Sequence, residues 1–84
     1  PYIVNYPNPF KGSTCISFTI HNEGYVRLEL FNLSGQKVST LLNREMPTGE
    51  YKVEYSPGDL DAGVYILRMN TETKCISNKI FYME

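Results

Sequence analysis

This sequence predicts an all-β fold, an Ig-like antiparallel sandwich of about seven strands, and three observations predict it. Short stretches alternate apolar and polar residues with the period of a strand, and none carries the helical period over about ten residues. Gly and Pro recur between these stretches, Tyr and Phe are plentiful, and Trp is absent. Finally, Leu60–Met69 opens on the turn Asp61-Ala62-Gly63 and continues as the most apolar strand candidate in the chain. Its Asp-x-Gly-x-Tyr spacing matches the tyrosine corner of Ig-like sandwiches, in which the Tyr hydroxyl bonds back to the upstream backbone. Leu67 stands where antibody domains place a Cys, so the antibody-type disulfide is absent.

In chain order, Pro1–Tyr6 predicts a short edge strand, with Tyr2 and Val4 in one phase and Ile3 in the other. In Tyr6-Pro7-Asn8-Pro9-Phe10 the two prolines donate no amide hydrogen bond and hold Tyr6 and Asn8 extended. The segment is either a stiff crossing between sheet edges, anchored by Phe10, or a rigid linker end; apolar residues on both sides favour the crossing. Lys11-Gly12-Ser13 is a turn, and Thr14–Ile20 a strand with Ile16, Phe18 and Ile20 inward. His21–Gly24 reads as a hairpin-type turn. Tyr25–Leu33 follows with Val26, Leu28 and Leu30 inward and Arg27 and Glu29 outward; Gly35 then supplies a positive φ in the turn Asn32–Gln36. Lys37–Leu42 is a strand, Asn43–Gly49 a loop, and Glu50–Tyr55 a strand with Tyr51, Val53 and Tyr55 inward. In Leu60–Met69, Tyr65, Leu67 and Met69 face one way and Val64 and Ile66 the other; a strand apolar on both faces belongs at the centre of its sheet. Lys74–Met83 closes the chain with Ile76, Ile80 and Tyr82 in phase. Asn78 shares that phase, which predicts a bulge or a bond to backbone there.

At 84 residues the chain makes one small domain, burying about 60% of its unfolded surface, with little room for a catalytic cleft. A net charge of −1 gives no electrostatic case for nucleic acid or an anionic membrane. No run is apolar enough to span a bilayer and no signal-peptide pattern is present. Pro1 is no natural initiator, which suggests a fragment of a longer chain. Cys15 and Cys75 fall out of phase with the inward residues of strands expected in different sheets, which argues against a disulfide between them.

No catalytic constellation is present. His21, the single His, has no nucleophile or carboxylate in a recognisable motif and reads as a solvated turn residue. There is no phosphate loop and no metal spacing; Asp59 and Asp61 could offer oxygens to calcium but read rather as caps of the turn ahead of the central strand, and no cofactor is implied. One surface stands out. If the strands at 25–33, 60–69 and 74–83 share a sheet, its outer face carries Tyr25, Arg27, Phe31, Val64, Ile66, Arg68, Lys79 and Phe81. Such an apolar strip with cationic edges is either a docking surface or a face covered by a neighbouring domain or loop.

Several of these residues resemble a known family. Asn5-Tyr6-Pro7-Asn8-Pro9-Phe10, Ser13-Thr14 and Ile16-Ser17-Phe18 resemble the opening motif of the type A C-terminal sorting domains of the type IX (Por) secretion system. Val26-x-Leu28-x-Leu30-x-Asn32-x-x-Gly35-Gln36-x-Val38-x-x-Leu41 is similar to its second block, Leu60-x-x-Gly63-Val64-Tyr65-x-x-Arg68 to its third, and Lys79-Ile80 to its terminal strand. The resemblance implies a non-enzymatic targeting module at the C-terminus of a secreted cargo, which would lie ahead of Pro1. It implies passage across the outer membrane of Gram-negative, Bacteroidetes-type bacteria. A surface sortase-like peptidase would then remove the domain, with the cargo released or attached to lipopolysaccharide. The segment recognised by the machinery would be Lys79, Ile80, Phe81, Tyr82, Met83 and Glu84. Two other readings compete: an Ig-like spacer, and a carbohydrate-binding module stacking sugars on Tyr25, Phe31 or Phe81.

Overall fold

A computed structural model describes residues 2–84. Seven strands and no helix are found there: β1 (Ile3–Tyr6), β2 (Thr14–Ile20), β3 (Gly24–Asn32), β4 (Lys37–Met46), β5 (Gly49–Tyr55), β6 (Gly63–Asn70) and β7 (Cys75–Tyr82). They form two antiparallel sheets, β1-β2-β5 and β4-β3-β6-β7, packed as a sandwich. The expected edge strand is β1; Pro1 lies outside the described residues.

The alternation read from the sequence places the core. Ile16, Phe18 and Ile20 from one sheet meet Val26, Leu28, Leu30, Leu67 and Met69 from the other, all buried. Each such side chain contributes about 1.5–3 kcal/mol by leaving water. Across the three-stranded sheet Phe18 lies opposite Tyr51, and their rings stack at 5.5 Å. β6 lies between β3 and β7, as its two apolar faces require. The tyrosine corner is present: Tyr65 donates its hydroxyl to the Asp61 carbonyl at 2.5 Å.

Three expectations are corrected. His21–Gly24 is not a hairpin, because β2 and β3 belong to different sheets and the turn carries the chain across the core. Asn43–Met46 is strand rather than loop: β3 runs down to Gly24 and offers pairing that far, so Gly24 lies opposite Met46. Two register shifts leave Val38 and Leu41 unopposed on β4, which bends the strand and lets Leu41 and Leu42, neighbours in sequence, both pack on the core. Met46 is then 2% exposed. Lastly, Asn78 makes neither a bulge nor a backbone bond. The β6–β7 register is unbroken, and Asn78 Nδ2 donates to Asn5 Oδ1 at 3.0 Å across the two sheets.

Cys15 and Cys75 are free thiols on different sheets.

Candidate recognition site

The terminal strand divides into two sets. Ile80 is 1% exposed, and Tyr82 packs its ring 5.1 Å from Phe10, so both belong to the core side. Lys79, Phe81, Met83 and Glu84 are exposed. A strand that keeps alternate residues for packing leaves only the others for a partner.

Around the exposed set, register assembles an outer face. Phe81 lies opposite Val64, Lys79 opposite Ile66, and Ile66 in turn opposite Phe31. The Arg68 guanidinium sits 4.5 Å over the Phe31 ring, a cation–π contact that covers part of the ring. Phe31 is therefore no free stacking platform, although Phe81 and Tyr25 stay 40% and 43% exposed. Glu29 points to the same face by alternation yet is buried, its carboxylate 3.4 Å from Lys37 Nζ. The side chains flanking the apolar group on β6 and β7, Arg68 and Lys79, are both cationic.

Phe31, Val64, Ile66, Arg68, Lys79 and Phe81 thus come together, while Tyr25 and Arg27 do not join them. Tyr25 lies six residues from Phe31 on β3, about 20 Å along an extended strand, and β6 ends opposite Arg27. There Tyr25 lines a cleft of about 360 Å³ between the turns at 21–24 and 71–74, and its amide donates to Glu72 Oε1 at 3.2 Å.

The residues singled out as motif build the scaffold behind this face. Gly35, at φ 87°, closes the β3–β4 turn, where Asn32 Oδ1 accepts from the amides of Ser34 and Gln36, each at 3.0 Å. Gly63, at φ 154°, leads from the corner into β6. Tyr65 is 7% exposed, and its hydroxyl pKa is raised, first by burial and then by the charge of Asp61. Pro7, Asn8, Pro9 and Phe10 cross to the four-stranded sheet, where Phe10 forms a parallel bridge with Tyr82. Both X–Pro bonds of that crossing, at Pro7 and Pro9, are cis.

Sequence reasoning missed one cluster. Asn5, Thr14 and Asn78 share the inward phase of their strands, and inward polar groups require partners. Thr14 Oγ1 donates to the Pro7 carbonyl at 2.9 Å, and Asn5 joins Thr14 at 3.4 Å and Asn78 at 3.0 Å. The phase was visible; the pairing was not. Among the described residues no three His, Cys, Asp or Glu gather as metal ligands, so Asp59 and Asp61 stand without a third.

Compared with known proteins, no curated protein and no solved structure matches the chain. The family model described as the secretion system C-terminal sorting domain matches residues 4–83. That span includes the crossing, the tyrosine corner and the terminal strand through Met83. The chain therefore belongs to the C-terminal sorting domains of type IX secretion, which mark proteins for export to the cell surface or the medium.

Proposed function

We propose that the secretion machinery reads this domain at Lys79–Glu84 together with the adjoining face of Phe31, Val64, Ile66 and Arg68. The observation that carries this is the grouping of exposed Phe81 and Met83 with that apolar strip, which Arg68 and Lys79 flank on β6 and β7 while Glu29 is buried. The partner surface is accordingly apolar with carboxylates at its margin. Tyr25 and Arg27 lie outside the contact. The role is recognition rather than catalysis, in keeping with a family that is not enzymatic. Cargo precedes β1, and a surface sortase-like peptidase separates the two after export.

The test is a periplasm-directed fluorescent reporter fused ahead of Pro1–Glu84, expressed in a host with the type IX system. Deleting Lys79–Glu84 would also remove Ile80 from the core, so the comparison is the exposed pair Phe81→Ser with Met83→Ser. Export of the parent and periplasmic retention of the folded double variant support the reading. Equal export of both overturns it.

A further inference from the structure

In an antiparallel sheet, alternate residues of an edge strand point their backbone groups away from the neighbour. On β7 these are Ser77, Lys79 and Phe81, with Met83 just beyond. From the Lys79 carbonyl to the Met83 amide, the four hydrogen bonds made on this edge all go to the crossing segment. Asn8 Nδ2 donates to Lys79 O at 3.0 Å, and Phe81 N donates to Asn8 Oδ1 at 2.9 Å. Phe10 N donates to Phe81 O at 2.9 Å, and Met83 N donates to Phe10 O at 2.8 Å. The Asn8 side-chain amide places one donor and one acceptor on this edge, the pair that a strand residue's backbone would offer. A side chain stands in for a strand.

We infer that Asn5–Phe10 is a clasp that fills the C-terminal part of the terminal strand's edge, from the Lys79 carbonyl to the Met83 amide, bars strand addition there, and leaves the terminal segment legible through the side chains of Lys79, Phe81 and Met83. The clasp is anchored: Phe10 is 2% exposed, and the Thr14–Pro7 and Asn78–Asn5 bonds tie the same segment at two further points. The other edges are blunted by other means. β4 carries two bulges, β1 has four residues, and β5 turns Glu50, Lys52 and Glu54 outward. β7 has an unbroken register and needs a guard. The consequence for recognition rests on the proposed reading of Lys79–Glu84; the guarding of the edge does not.

The test compares the parent chain with Asn8→Ala, and with Asn8→Asp, which keeps the acceptor for Phe81 N but sets a carboxylate against the Lys79 carbonyl. In folded Asn8→Ala the Phe81 amide should exchange at least about tenfold faster, relative to the amides of β3 and β6, whereas Asn8→Asp, which keeps its acceptor, should hold that amide protected. The parent should stay monomeric in sizing experiments, while the variants associate as concentration rises. Adding Lys79→Pro, which deletes the next outward amide of the opened edge, should restore the monomer. Unchanged exchange at Phe81 in Asn8→Ala, or opened variants that stay monomeric, overturn the clasp. In the reporter assay, export of folded Asn8→Ala no better than the parent supports reading by side chains; better export through an opened edge overturns it. Periplasmic retention of the parent reporter strikes the terminal-segment reading alone, and exchange and sizing still decide the clasp.

Discussion

Tyr65 shows how much one hydroxyl does here. Its ring, carried on β6, is buried, and its hydroxyl holds the carbonyl of Asp61, the residue that opens the turn into that strand. Tyr65→Phe keeps the ring and loses the bond, so it should cost about 0.5–1.5 kcal/mol in urea denaturation near neutral pH. The raised pKa sets a second expectation. The folded chain retains a proton that the unfolded chain releases, so this stabilisation is complete below the ordinary value of 10.0 and is lost as pH rises through the raised one. Unfolding midpoints followed from neutral into the alkaline range should fall more steeply for the parent than for Tyr65→Phe. Phe10 is the other single residue on which much depends. It fills the core, packs its ring against Tyr82 and bonds the terminal strand through its backbone, so Phe10→Ala should cost about 3–5 kcal/mol. A loss below about 1 kcal/mol would mean that the crossing is not anchored.

At the scale of elements, β4 separates what periodicity reveals from what pairing decides. Strict alternation fails in Val38-Ser39-Thr40-Leu41-Leu42, and a reader of the sequence stops the strand there. The bulges absorb the mismatch, and beyond them the strand resumes against β3 and delivers Met46 to the core. Met46→Ala should therefore cost about 2–5 kcal/mol in equilibrium unfolding, whereas a loop residue would be near neutral. By contrast β2 and β5 were legible residue by residue, because each carries clean alternation over its whole length and no bulge shifts its phase.

For the molecule as a whole, the two sheets put their outward faces on opposite sides of a core about 10 Å thick, too far for Cys15 and Cys75 to meet. Native-state alkylation should label both thiols, Cys75 faster because it is exposed and Cys15 partly covered, and added reductant should leave the melting temperature unchanged. A disulfide-linked product in mass spectrometry would contradict the packing. The same arrangement makes the candidate site a composite. Its side chains come from β3, β6 and β7, and the segment that holds β7 in place comes from the opposite end of the chain.

The sequence by itself determined the fold class, the inward set of most strands, the central place of β6 and the tyrosine corner, because each follows from local alternation or spacing. It also marked Asn5–Phe10, Gly35 and Gly63, whose order along the chain is the family's. Only the tertiary structure decided which outward residues share a surface. Register, a long-range property, brought Phe31, Val64, Ile66 and Phe81 together, left Tyr25 at the far end, and buried Glu29. It alone also joined Asn8 and Phe10 to a strand some seventy positions away, since a hydrogen bond between distant segments leaves no period in either of them.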